Sequence, residues 1–274
     1  MIHPMQTQTT SSTLRSAGDH LRHWRQHRRL SQLDLALDAE ISTRHLSFLE
    51  TGRAAPSRDM VLRLAERLEI PLRDRNLLLL AAGFAPLYPE RGLDDPAMAP
   101  ARAAIDALLK AHEPYPALAI DRHWQLVAAN GMLAPLIEGA APDLLAAPVN
   151  VLRLSLHPQG VAPNIVNLGE WRHHLLDRLK RQIALTHDAV LEDLLAELLT
   201  YPAPANDVAN VASDAVIAVP LRLRTKLGVL SFLSTTMVFG TPVDVTLSEI
   251  ALETFLPADA ATADILRRSI AVQP

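Results

Sequence analysis

Residues 31–53 read SQLDLALDAEISTRHLSFLETGR, and this stretch decides how the first part of the chain folds. Leu33, Leu35, Ala36 and Ala39 recur at spacings read as one face of an α-helix, while Gln32, Asp34 and Asp38 fall on the others. Ser31 stands where an N-cap is needed. Ala39, Glu40 and Ile41 make a turn, after which Ser42 caps a second helix. In that helix Leu46 and Leu49 point one way, and Thr43, Arg44, Ser47 and Phe48 point another. Thr51-Gly52 closes it, because glycine takes the left-handed conformation beyond a helix end without a steric penalty. Two short helices joined by a tight turn form a helix-turn-helix. In that geometry the first helix crosses the DNA backbone, and the N-terminal part of the second enters the major groove.

The flanks extend the pattern. Leu21, Trp24 and Arg25 fit a preceding helix; Pro56-Ser57 opens another, with Met60, Val61, Leu64 and Leu68 on one face; Pro71 to Ala82 gives a fifth. This order resembles the repressor-type (XRE-like) regulators, through Gln32 directly after the cap, Ala36 where helices pack closely, Ser42 at the second cap, and Glu50-Thr51-Gly52 at the close. The resemblance implies an all-α five-helix DNA-binding head over residues 14–84. Within it Thr43 and Arg44, just past Ser42, would face base edges, Ser47 and Phe48 would make secondary groove contacts, and Gln32 and Arg53 would touch phosphate. Arg25 would pair with Glu50. Glu40 departs from the family, where many relatives place glycine in a left-handed turn; a side chain there implies strain of ~1 kcal/mol. In RHWRQHRR (residues 22–29), Trp24 reads as core or as a base contact, and some of Arg22, Arg28 and Arg29 as phosphate neighbours that add salt-dependent affinity with little discrimination.

Charge divides along the chain. The net charge is -4, yet residues 1–80 hold 12 Arg, no Lys and 9 acidic residues, a balance of +3 that leaves -7 for the remainder. A basic first unit joined to an acidic second one suits a DNA reader with an attached sensor. At 274 residues and 49% hydrophobic, the chain can give each of two domains a core. No run of eighteen apolar residues and no signal-like start are present, so neither a membrane span nor export is expected. Zero cysteines exclude disulfides and thiolate metal sites, and a cytoplasmic setting is the expectation. A GxSxG elbow, a phosphate loop and a GxGxxG after a strand are all missing, so an enzyme is not expected. His173 and His174, with His157 and His187 nearby, read as a solvated face, since adjacent helical side chains point about 100° apart and do not readily grip one metal.

Met1 to Thr13 is polar without periodicity and is expected to be a disordered lead. Residues 85–97 are a linker, where Gly83-Phe84-Ala85-Pro86 stops the fifth helix and Pro89 and Pro96 follow. The second domain spans 98–274. Met98 to Lys110 is helical, with Ile105, Leu108 and Leu109 on one side; Ala117 to Ile120 and Trp124 to Ala128 are strands around Asp121-Arg122-His123. Met132 to Ile137 is a helical turn, and Asn150 to Leu156 suits a strand or a helix. Asn167 to Leu199 is helical with a break at Thr186-His187-Asp188. Ala215 to Leu223 and Val229 to Phe239 are strands joined at Arg224 to Gly228, with Pro220 marking an edge or bulge. Glu249 to Phe255 would be a third strand and Asp259 to Arg268 a closing helix. The sum is an α/β antiparallel sheet with helices, in the order of a PAS-like sensor.

The segments ALAIDRHWQLVAANGML (117–133) and NVLRLSLHP (150–158), followed by a helix carrying Trp171, are similar to the ligand-binding domain of MmyB-like regulators over about Ala97 to Ile270. The resemblance implies a PAS-like fold around an apolar pocket for a fatty-acid-like molecule. Leu126, Leu133, Leu152, Trp171, Phe232 and Met237 would line it, and Asn130, His157 and Asn167 would anchor a head group. Ordinary core packing for the first six and a loop-fixing role for His157 stand beside that reading. The expected partners are a double-stranded DNA operator, an apolar ligand such as a bound fatty acid, and a second copy of the chain; no other cofactor is expected. Two alternatives remain: a second domain that only dimerises or recruits a protein, and a repressor head fused to an enzyme.

Overall fold

Four serines start four helices of the head. Ser16, Ser31, Ser42 and Ser57 each accept, through Oγ, the backbone N–H three residues on, at the N-termini of α1 (Ala17–His27), α2 (Gln32–Asp38), α3 (Thr43–Glu50) and α4 (Arg58–Arg67). Asp19 and Asp34 return the bond to the serine N–H, completing capping boxes at α1 and α2. Pro71 precedes α5 (Leu72–Ala81). The computed structural model describes residues 16–203 and 218–271. The lead at 1–13 and the start of the strand expected from Ala215, residues 215–217, lie outside the described residues.

The chain divides into two units between Glu90 and Arg91, with residues 243–245 counted in the first. In the head, Leu21, Trp24, Leu35, Leu46, Leu64 and Leu78 form the buried centre, so Trp24 is core. Leu33 corrects the sequence reading: it is 56% exposed, because it sits two residues from buried Leu35 and therefore some 200° around the helix. Glu40 adopts φ 55°, the left-handed conformation expected at this turn, and Ile41 N–H then reaches Ala36 O at 2.9 Å. Gly18 makes the closest approach: a Cβ there would lie 2.5 Å from Leu49 O and 2.7 Å from Glu50 O, so α1 can cross the end of α3 only with glycine at this point.

Two expectations for the surroundings are revised. Arg28 donates to Leu68 O at 2.8 Å and Glu69 O at 2.9 Å, closing the end of α4 instead of standing free for phosphate. Residues 87–88 are strapped to α5, since Asn76 Oδ1 accepts the N–H of Leu87 and Tyr88 at 3.0 Å each and its Nδ2 donates to Tyr88 O at 2.7 Å. The first part of the expected linker is thus pinned.

The second unit begins with α6 (Ala99–Ala111), β1 (Ala117–Ile120) and β2 (Leu126–Ala129), followed by α7 (Pro142–Leu145) and α8 (Val151–Leu156). Residues 151–156 are therefore helical, and Asn150 Oδ1 caps them on Leu152 N and Arg153 N at 3.1 Å. Next come α9 (Leu168–Thr186) and α10 (Ala189–Leu199), separated at His187 with φ 51°, where the break was expected. The chain closes with β3 (Leu221–Thr225), β4 (Gly228–Val238), α11 (Val245–Ser248), β5 (Ala251–Pro257) and α12 (Ala260–Ala271).

The five strands pair antiparallel in the order β2-β1-β5-β4-β3. β3 is an edge strand with Pro220 just before it, where a missing N–H is tolerated. Side chains alternate between two faces. One face sets Ala117, Ala119 and Leu252 against Ile105 and Leu109 of α6, leaving Leu108 largely outside. The other sets Leu118, Ile120, Leu223, Leu230 and Phe232 against α8, α9 and α10, and this second layer holds the cavity.

Candidate DNA-reading surface and ligand cavity

Glu50, 2% exposed at the end of α3, ties the helix-turn-helix together. Arg25 donates to it through Nε at 2.6 Å and Nη2 at 3.0 Å, and Gln32 through Nε2 at 2.8 Å. Arg22 adds a bond to Glu50 O at 3.1 Å. Burial works to raise the pKa of Glu50, but the bonds from Arg25 and Gln32 outweigh it and hold the carboxyl below its ordinary value. The Gln32 amide is therefore engaged with Glu50 from the first turn of α2.

Around that anchor α3 presents Thr43, Arg44, Ser47 and Phe48 on its outer side. Ser42 Oγ is occupied by His45 N–H at 3.1 Å, so its hydroxyl serves the helix start. The Phe48 ring lies between two guanidiniums, with Arg44 Cζ 5.3 Å and Arg53 Cζ 5.9 Å from its centroid. Such cation–π contacts hold both exposed arginines close to α3, where one can address bases and the other the backbone.

In the second unit a cavity of about 100 Å³ lies between the sheet and the helical layer. Leu126, Leu133, Leu152 and Trp171 of the sequence-derived set line it, joined by Leu136, Leu175 and Phe255 among others. Its wall is apolar except at Ser155, Arg178, Ser234 and Glu253. Ser155 Oγ accepts Trp171 Nε1–H at 3.2 Å, fixing that indole. The space is small beside typical ligand pockets of roughly 300–1,000 Å³, so a larger occupant requires lining side chains to move.

Five members of the sequence-derived set are placed elsewhere. Met237 is on β4, an odd number of residues from inward-facing Phe232, so it points to the opposite face and is half-exposed. Phe232 is fully buried beside Phe255, with ring centroids 6.3 Å apart, in the solid core and not at the void. Asn130 accepts Ala117 N–H and donates to Leu109 O and Tyr115 O, which fixes the loop after β2. Asn167 bonds Pro220 O at 2.8 Å and Arg222 N at 3.1 Å, clamping α9 to β3. His157 accepts Gln159 N–H at 3.0 Å and packs edge-on to Tyr201, the loop-fixing alternative.

The sequence reading missed the polar end of the cavity. Arg178 donates to both carboxylate oxygens of Glu253, through Nη1 at 2.9 Å and through Nη2, and Nη2 also reaches Thr236 Oγ1 at 2.9 Å. Its Cζ lies 4.7 Å from the Trp124 ring. Trp124 itself has φ 64°, a strained conformation for a bulky residue, and is held by Nε1–H donation to Gln182 Oε1 at 2.8 Å. Helical spacing carried the signal: Trp171, Leu175, Arg178 and Gln182 share one face of α9, so a cation and an amide ride on an apolar stripe.

A family model described as MmyB-like transcription regulator ligand binding domain matches residues 101–268, well over half of the chain. The chain belongs to the MmyB-like transcription regulators. A second model, described as a helix-turn-helix domain, matches residues 16–78 of this MmyB-like regulator. Together the two matches make the chain a ligand-responsive transcription regulator with DNA and a small molecule as partners. No curated protein matches it. One solved structure, of an RNA-binding light-oxygen-voltage receptor, is similar at 15% identity over 98% of this chain and 69% of that one, with a TM-score of 0.26, too slight to bear on fold or function. Among the described residues no helix of this MmyB-like regulator is long and apolar enough to cross a membrane.

Proposed function

We propose that this MmyB-like regulator is a cytoplasmic, one-component sensor of an apolar small molecule of fatty-acid or acyl type, and that it binds its operator as a homodimer. Thr43 and Arg44 read base edges, Ser47 and Phe48 support them in the groove, and Arg53 contacts phosphate. The observation that supports a sensor over a passive dimerisation module is the void itself. A domain serving only as an interface has no use for a partly open cavity walled by apolar side chains, whose contact with water is unfavourable. Here it persists between the sheet and α8 and α9, with Leu126, Leu133, Leu152 and Trp171 around it. A ligand acts by its differential affinity for two arrangements of the dimer, so occupancy changes DNA affinity.

One recognition helix covers only a few base pairs. Two copies reading half-sites one turn of B-DNA apart, about 34–36 Å, give useful specificity and a pseudo-palindromic footprint. Native mass spectrometry of freshly purified protein tests the sensor reading: a discrete adduct of lipid-like mass supports it, and the bare chain mass, together with no thermal stabilisation across a series of fatty acids, amides and esters, leaves the dimerisation-only alternative standing.

A further inference from the structure

Glu253 occupies the middle of β5, the central strand, at the register that faces the cavity, with Thr236 directly opposite on β4. It is 4% exposed, and Arg178 covers both of its oxygens from α9. The cavity wall is thus polar at this end but electrically balanced. Hydrogen-bond capacity remains beyond that balance. A guanidinium has five N–H donors. The Arg178 bonds to Glu253 and Thr236 engage three of them, so Nε–H and one Nη1–H have no partner among the described residues. Ser234 adds a hydroxyl on the same face of β4 as Thr236.

Among the described residues lining the cavity, Arg178 is the one cation. His174, on α9 and stacked on Trp171, is kept from charging by burial and by Arg178 and Arg181. Arg181 is exposed, and Asp177 is engaged with His173 at 3.0 Å and Lys180 at 3.5 Å. From the sheet, Glu253 is the ionised group facing Arg178 and Thr236 its neutral companion. A carboxylate entering beside Arg178 would therefore either set a second negative charge next to buried Glu253 or displace Glu253 from Arg178, and both are disfavoured. A neutral carbonyl acceptor meets the remaining donors with no such conflict.

We infer that the cavity selects uncharged acyl compounds, carrying a carbonyl acceptor toward Arg178 and Ser234, over ionised fatty acids. This narrows the ligand class of the sensor and rests on the acyl reading above. Octanamide, methyl octanoate and octanoic acid share a chain and differ at the head, so calorimetry of the full chain with each separates the two claims. At pH 8 the amide and the ester bind roughly a hundredfold or more tighter than the acid, because the buried ion pair already neutralises the wall. Between pH 8 and pH 6, above the ordinary carboxylate range, the acid gains about tenfold per unit as its protonated fraction rises, while the amide is unchanged.

Glu253→Gln leaves Arg178 unmatched and shifts the preference toward octanoate by about tenfold or more; if that variant fails to fold, the pH series on the unaltered protein decides alone. Octanoate that binds as tightly as octanamide at pH 8, without pH dependence, overturns the selectivity and leaves the acyl reading intact. No heat from any of the three overturns the acyl reading and this inference with it.

Discussion

Each unit buries a glutamate beneath an arginine, Glu50 beneath Arg25 in the head and Glu253 beneath Arg178 in the second unit. In the head the pair is enclosed by packed helices. Gln32 also donates to the Glu50 carboxylate, α1 crosses the Glu50 carbonyl at Gly18, and the ion pair fixes the angle at which α3 is presented. In the second unit the same chemistry borders empty room: Arg178 keeps two N–H groups without a partner among the described residues and faces a cavity walled by leucines and indoles. A charge pair in a filled core specifies one geometry. Set against a void, it leaves a surface that a ligand can complete.

The largest effect belongs to the closed pair. Glu50→Ala strands Arg25 against the core and should cost about 3–5 kcal/mol, seen as a lowered denaturant midpoint of the head and loss of operator binding. Glu50→Gln should destabilise more than Glu253→Gln, since Arg178 is 25% exposed against 11% for Arg25. Equal losses in matched denaturation curves would erase the distinction between the two sites. Gly18→Ala drives a methyl into the carbonyls of Leu49 and Glu50, and a loss of about 1–3 kcal/mol is expected in thermal unfolding. At the surface, Arg44→Ala should lower cognate affinity by about 1–3 kcal/mol and relax preference at one base, whereas Arg53→Ala weakens all sequences alike at fixed salt.

The smallest effect is acidic. A carboxyl held below its unfolded value adds stability that is full above that value and is lost as pH falls through the folded one. Glu50 therefore supports the head at neutral pH, and its support disappears below the ordinary value of 4.5. Amide exchange across α1 and α3 should quicken in that window in the native protein but not in Glu50→Gln.

What the sequence made legible was local. Serine caps, the apolar stripes of α4 and α9 and the turn at Glu40 rest on spacings of three or four residues, and each can be read without knowing what lies across the fold. Residues 150–156 resisted, because a short apolar run suits a strand or a helix until its cap is seen. Phe232 and Met237 were assigned to one cavity although their separation puts them on opposite sides of a strand. Asn130 and Asn167 have side chains that substitute for backbone partners, so polarity alone could not distinguish a loop clamp from a head-group anchor. Arg178 and Glu253 were legible by the same parity rules, through Trp171 seven residues before the one and Phe255 two after the other.

The central claim is that occupancy of the cavity is coupled to DNA binding. Its most direct test is the operator affinity of the full chain, with an operator selected from random duplex DNA, titrated with and without saturating acyl compound in the unaltered protein and in Leu133→Trp. The account predicts a change in affinity on adding the compound to the unaltered protein, and none in Leu133→Trp, where the added indole fills the space beside Trp171. The same ligand-dependent change in both proteins, or a ligand that binds the unaltered protein without moving its operator affinity, would contradict it.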